Sequence, residues 1–326
     1  MTMRPSLAFR RLAIATAVLT YMLIVVGGVV RVTGSGDGCG SSGGWPLCNG
    51  SLLPALRTTT LIEFSHRWIT TVTTVLVVAL LISAWVWQRR YRRVVVSSTI
   101  AGVLLLVQIV LGALVVEFDL PGGIVMIHLA NALLLLGVLV YVAVAANTLG
   151  AKVDAGAAAP ASAFGLAVFA AAATYILALS GALIVETKSS AGCDGWPLCG
   201  GGFQLPATSM DVIDMVHRVV AGVALIVIGA VMGIVIRRHR GDRGIRLSAL
   251  VVNVVLLFQV AAGALVVVLR LPAGVQGLHI ALASLLWASV VAVAALVRAR
   301  ESQPAPIAVE AERPAALPRA AEVAPT

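Results

Sequence analysis

Residues 62–87 read IEFSHRWITTVTTVLVVALLISAWVW, and the stretch after Arg67 carries no charged side chain. A helix rises 1.5 Å per residue, so about 20 such residues cross a hydrocarbon core of about 30 Å. Inside that core every backbone N–H and C=O must find its partner within its own segment, which makes the helix the default. At the head of the run sit three ionisable side chains, Glu63, His66 and Arg67, where the membrane meets water. Similar blocks recur along the chain and predict helices at about 11–32, 62–87, 94–116, 123–147, 163–186, 210–236, 246–268 and 274–298. The fold expected is therefore an all-α membrane protein of eight transmembrane helices.

Composition agrees. The 326 residues are 60% hydrophobic and 11% charged, with a mean hydropathy of +1.02, whereas an ordinary soluble domain carries roughly 25% charged residues. The short alternating segments of a membrane β-barrel are absent from the sequence. The first block follows arginines as a signal peptide would, but it is too long for an h-region and has a counterpart later in the chain.

The net charge of +9 describes topology and does not imply nucleic acid. Basic residues gather in alternate loops: Arg4, Arg10 and Arg11; Arg89, Arg90, Arg92 and Arg93; Lys152; Arg237, Arg238, Arg240, Arg243 and Arg246; Arg298 and Arg300. The intervening loops hold only Arg57, Lys188 and Arg270, with Arg31, Arg67 and Arg218 at helix ends. The positive-inside rule then predicts both termini in the cytoplasm. The stretch 301–326, rich in Ala, Pro and Glu, is expected to be a disordered cytoplasmic tail.

An internal repeat organises the rest. Thr20-Tyr21, Gly27 and Cys39 match Thr174-Tyr175, Gly181 and Cys193 at an offset of 154. After a three-residue difference in the loop, the offset becomes 151. It then pairs Trp45-Pro46-Leu47-Cys48 with Trp196-Pro197-Leu198-Cys199, and His66-Arg67 with His217-Arg218. Gln108 pairs with Gln259, residues 112–116 with 263–267, Leu120-Pro121 with Leu271-Pro272, and His128 with His279. Four helices per half return the chain to its starting side, so the repeats are parallel. The organisation expected is a four-helix bundle over 1–150, a second over 151–300, and the tail.

Four of the five histidines occupy repeat-equivalent positions: His66, His128, His217 and His279. Each lies near the start of an inward-running helix, so all four share one depth near the outer surface. The fifth, His239, falls in a basic loop and is expected to be solvated. An imidazole in hydrocarbon is costly unless paired, which makes such residues functional candidates. Two of them facing one another inside a bundle build a cofactor site. With few carboxylates or thiols at that depth, a bis-His pair suits haem iron better than zinc. The bland alternative is a hydrogen bond from each histidine to a neighbouring helix.

Glu63 precedes His66 by three residues and Asp214 precedes His217 by three, placing each acid on the face of its histidine. Such a carboxylate orients an imidazole, moves a proton, or simply rests at a helix N-terminus. Arg67 and Arg218 are candidates to neutralise haem propionates, or to snorkel to the interface. All four cysteines fall in two long outer loops, Cys39 with Cys48 and Cys193 with Cys199. An oxidising exterior favours one disulfide per loop, with a shared four-cysteine metal site or reduced redox-active thiols as alternatives.

Taken together, residues 28–36 (GVVRVTGSG), Trp45-Pro46-Leu47-Cys48 and Glu63-Phe64-Ser65-His66-Arg67-Trp68 resemble the haem A synthase family. The resemblance spans roughly residues 10–300 and includes the repeat, the four histidines and the loop cysteines. It implies an enzyme of cytochrome c oxidase assembly that oxidises the C8 methyl of haem O to the formyl group of haem A, with water as oxygen source. It also implies a haem b cofactor ligated by His217 and His279, acting as electron relay. Substrate haem O would then lie near His66 and His128, which form the catalytic set with Glu63. Under that reading Glu63 stabilises positive charge developing on the oxidised carbon and accepts a proton as water adds.

The partners implied are haem O and haem A, haem O synthase as supplier, and an unnamed electron acceptor for which a quinone is a candidate. Two other functions fit parts of the pattern. A di-haem electron-transfer cytochrome would share fold and ligands without chemistry on either haem. A haem or metal transporter would need the interrupted midplane helices that this chain lacks.

Overall fold

The computed structural model of the protein describes residues 4–40, 47–52, 54, 56–118, 122–150, 163–193, 195–201 and 206–302. Eight long helices account for most of them: α1 Leu7–Val32, α2 Thr58–Trp87, α3 Arg92–Glu117, α4 Gly122–Thr148, α5 Phe164–Glu186, α6 Ser209–Arg238, α7 Arg243–Val268 and α8 Ala273–Glu301. All eight are long and apolar enough to cross a membrane, and the described residues form no β-strand beyond one isolated bridge between Cys48 and Ser51. The chain is an all-α, multi-pass membrane protein. Its helices begin and end within a few residues of the ranges expected from the sequence. Trp45, Pro46, Leu120, Pro121 and the tail from 303 onward lie outside the described residues.

Local chemistry sets several helix ends. The Ser6 side chain accepts a hydrogen bond from the Phe9 amide at the start of α1. Thr208 and Asp211 form a reciprocal capping box on α6, and Asp242 caps α7 through the Ile245 amide. Arg237 and Arg238 close α6, and Arg298 and Arg300 close α8, where cations meet the negative end of the helix dipole.

In the first half, α1 packs on α2 and α4 while α3 packs on α2 and α4, so the four helices close a ring. In the second half, α5 packs on α6 and α8 while α7 packs on α6 and α8 in the same way. The rings meet along α1, α4, α5 and α8. The start of α1 and the end of α8 lie at the same end of the bundle. Arg4 Nε donates to the Gly150 carbonyl after α4, and the amides of Ala163 and Phe164 donate to Glu301 at the end of α8. The disulfide-bearing loops occupy the opposite end.

Buried side chains concentrate in three clusters. One lies within α1–α4 around Leu80, Leu139 and Val142, and one within α5–α8 around Ile228, Met232 and Val290. The third joins the halves through Ile24, Leu133, Leu136 and Trp287, whose indole N–H donates to the Leu133 carbonyl at 2.7 Å. Large apolar residues such as Leu106, Ile226 and Leu257 are exposed on the outside of the protein. Water would make that surface costly; acyl chains do not.

A reciprocal pair of bonds also spans the rings. Tyr21 on α1 donates its hydroxyl to the Ala281 carbonyl on α8 at 3.3 Å, and Tyr175 on α5 donates to Ala130 on α4 at 3.1 Å. Tyr21 and Tyr175 are repeat equivalents, and so are Ala130 and Ala281. Each acceptor lies two residues past a histidine, His279 or His128.

One expectation is corrected. His239 is 3% exposed rather than solvated. It sits just past the end of α6, with Asp242 before α7 and Arg300 and Glu301 in the last turn of α8 within electrostatic reach. Burial pushes its imidazole below the usual histidine range, a shift that the two acids oppose only in part.

Candidate functional site

Helices α2, α4, α6 and α8 run in one direction because crossings alternate, so their histidines enter at comparable depth. His66 and His217 stand eight residues past the starts of α2 and α6, and His128 and His279 six past the starts of α4 and α8. At 1.5 Å per residue these offsets are about 12 Å and about 9 Å of helix. Within each half the two imidazoles lie in electrostatic reach of one another: His66 with His128, and His279 with His217.

A glycine backs every imidazole. A Cβ added at Gly27 would stand 3.1 Å from His66 Cε1, and one at Gly112 would stand 3.3 Å from His128 Cε1. In the second half the corresponding distances are 3.2 Å from Gly181 to His217 and 3.0 Å from Gly263 to His279. Each ring therefore lies against the backbone of the helix before it in the chain. A larger residue would force the ring away by a few tenths of an ångström.

The ring nitrogens show which lone pairs are available. Asn131 Nδ2 donates to Gln108 Oε1 at 2.6 Å, which fixes the Gln108 amide and turns its nitrogen toward His128 Nε2 at 3.0 Å. An amide nitrogen can only donate, so His128 Nε2 is the acceptor and its lone pair is taken by Gln108, which a metal at that nitrogen would have to displace. Gln259 Nε2 meets His279 Nε2 at 3.3 Å, but the Gln259 amide oxygen is buried without a partner among the described residues. The Nδ1 atoms of His66, His128 and His279 are buried without a partner among the described residues. His217 is the exception, with Ser180 Oγ 2.8 Å from its Nδ1. The repeat equivalent of Ser180 is Val26, and that of Asn131 is Leu282. Backing glycines and a facing imidazole pair per half together fit a bis-His haem in each half. Among the described residues no cluster of three or more His, Cys, Asp or Glu could hold a metal ion.

Each acid is paired with the arginine four residues on. Glu63 is buried, and no hydrogen bond joins it to His66 among the described residues. Its Oε1 accepts from Arg67 Nε at 3.1 Å and Nη2 at 2.6 Å, and its Oε2 accepts from the Cys39 amide at 2.7 Å. Arg67 also donates to the carbonyls of Leu47 and Gly40. Asp214 and Arg218 repeat the ion pair at 3.0 and 2.9 Å, and Arg218 donates to the carbonyls of Cys193, Gly195 and Pro197. Both arginines thus staple a loop to its acid.

Each loop is closed by its own disulfide, Cys39–Cys48 with Cα atoms 4.5 Å apart and Cys193–Cys199 with 4.6 Å. No free cysteine remains, so the four thiols do not form a shared metal site. Sequence reasoning missed Ser180, Asn131 and the glycine seats. Comparing the halves position by position for polar-to-apolar exchanges would have found the first two.

The COX15-CtaA family, described as cytochrome oxidase assembly protein, matches residues 10–60 and 55–291. The chain belongs to this family. A Bacillus licheniformis protein named haem A synthase is 31% identical over 282 residues, covering 83% of this chain and 90% of its own. Its namesake in Bacillus pumilus is 30% identical over 284 residues, with coverage of 83% and 89%. Another of that name, from Listeria monocytogenes, is 28% identical over 260 residues, with coverage of 78% and 83%. The family match takes in all four histidines, both acids and all four cysteines.

Proposed function

We propose that the chain is a haem A synthase, converting the C8 methyl of haem O to the formyl group of haem A with water supplying the oxygen. The observation that carries this reading is the duplicated imidazole pair seated on glycines, in a chain whose relatives bear that name. The first half, 1–150, takes the substrate haem between His66 and His128. The second, 151–300, keeps haem b between His217 and His279. Both termini face the cytoplasm by the positive-inside rule, which puts the histidines near the outer surface.

The halves differ where the reading needs them to. His217 is anchored by Ser180, as suits a ligand of a resident cofactor, since partners of a metal-binding histidine fix its tautomer and tilt. His66 has Val26 at the equivalent position and no such anchor, as suits a site whose occupant must leave. Haem b, when bound, supplies a relay for the electrons removed from the methyl group, which a quinone-class acceptor takes up.

Glu63 forms an ion pair with Arg67, which puts negative charge within one helical turn of His66. That charge stabilises positive charge developing on the substrate methyl carbon. Oε2 accepts only the Cys39 amide among the described residues. A carboxylate oxygen has a second lone pair, and Oε2 is the atom that takes a proton as water adds.

The test is co-expression with haem O synthase in a host that makes no haem A, followed by haem extraction and mass identification. Haem A should accumulate with the wild-type chain and vanish with Glu63→Gln, while haem b persists in the purified variant. Normal haem A in Glu63→Gln removes the catalytic assignment. Two bound haems with no product from the wild type identify a di-haem electron-transfer cytochrome instead.

A further inference from the structure

At the disulfide end of the first half, Arg67 is fully committed to Glu63 and two loop carbonyls. In the second half Arg218 is committed in the same way. Neither has a fork to offer a ligand. Arg31 is placed differently. It lies in the last turn of α1, four residues after Gly27, the glycine that seats His66, so the two share one face of the helix. Helical side chains lean toward the N-terminus, which brings Arg31 back over that seat.

About a third of the Arg31 side chain is exposed, and its one ion pair among the described residues is with Glu186, at 4.0 Å. Among those residues its guanidinium makes no hydrogen bond. The Glu186 carboxylate in turn occupies the place a Cβ would take at Gly122, the first residue of α4, six before His128. An internal anion thus rests between Arg31 and the amide-rich start of the helix that bears the second ligand. Both charges are one-sided. Val185 stands at the repeat equivalent of Arg31, and Val32 at that of Glu186.

We propose that Arg31 is the carboxylate-recognising residue of the first site: it binds a propionate of the porphyrin substrate and exchanges Glu186 for it. The proposal rests on the reading of the first half as the substrate-haem site. An exchangeable ion pair suits a ligand that must both enter and leave. The outgoing porphyrin releases Arg31 to Glu186, and the incoming one displaces that carboxylate. The second half, with valine at the equivalent position, lacks this exchange.

The experiment titrates full-length protein, purified with haem in its second half, with iron protoporphyrin IX and separately with its dimethyl ester, in detergent. Soret difference spectra report binding at the first site, and haem retained in the second half reports folding. A charge-assisted hydrogen bond corresponds to about tenfold or more in affinity, so the wild type should prefer the diacid by that factor. Arg31→Gln should weaken the diacid about tenfold and leave the ester unchanged, Arg31→Lys should recover part of the loss, and Glu186→Gln should tighten the diacid. Equal binding of the diacid by wild type and Arg31→Gln overturns the proposal. So does a loss shared equally by diacid and ester, which would make Arg31 a structural latch. A wild type that takes up no second porphyrin overturns the substrate-site reading itself, a result distinct from the other two.

Discussion

Arg67 Nη2 lies 2.6 Å from Glu63 Oε1, one helical turn away, and the same nitrogen donates to the Gly40 carbonyl beside a disulfide. A single guanidinium therefore holds both the acid and the loop that covers it. Removing it leaves a buried carboxylate without its counter-ion, a loss of about 3–5 kcal/mol for a fully buried pair. Arg67→Ala should lower the melting temperature in detergent and abolish haem A formation. Arg67→Lys keeps the charge but loses the fork, and should retain more stability than activity. Thermal unfolding measured beside haem A yield separates the two effects.

The hydroxyl of Ser180 is the anchor unique to the second half. Ser180→Ala leaves His217 Nδ1 buried and unpaired, and loss of such a partner costs a metal site about 10- to 100-fold in affinity. Purified Ser180→Ala should carry less haem b, measured by pyridine haemochrome per mole of protein. Val26→Ser, which gives His66 the equivalent neighbour, should slow product release and raise the fraction of protein isolated with haem O or haem A.

Glycine seats give a prediction in pairs. Gly181→Ala and Gly263→Ala press a methyl on His217 and His279 and should deplete haem b. Gly27→Ala and Gly112→Ala press on His66 and His128 and should spare haem b while reducing haem A. Pigment content and product yield, measured on all four variants, check the division of labour between the halves. Equal loss of haem b in all four would contradict it.

His239 predicts a pH effect. Its folded pKa is lowered by burial, so below the unfolded value of about 6.5 the unfolded chain binds the extra proton and the folded chain resists it. The protein should be most stable above that value and lose stability as pH falls below it. His239→Gln should flatten this slope, read as melting temperature in detergent between pH 5 and pH 8.

Helix number and limits were readable because each apolar block is long, nearly uncharged and punctuated by arginines. The histidines were readable because a polar ring in hydrocarbon stands out and the repeat places four of them in register. The partner of Glu63 was not readable. His66 and Arg67 both lie within a turn of it, and only the fold of the loop, which brings the Cys39 amide to Oε2, decides between them. Ser180 was hidden for another reason: a serine in a membrane helix usually bonds back to its own backbone. This one does so with the Leu177 carbonyl while also meeting His217. The surroundings of His239 include Arg300 and Glu301 at the end of α8, remote in sequence from the loop that holds it.

The crossed tyrosines have an evolutionary corollary. Tyr21 reaches α8 and Tyr175 reaches α4 through the same bond, a contact that two copies of a four-helix ancestor would share about a two-fold axis. Fusing two such copies into one gene frees each from having to match its twin. Val26 beside Ser180, Leu282 beside Asn131 and Val185 beside Arg31 are substitutions that no symmetric pair could have kept on one side only.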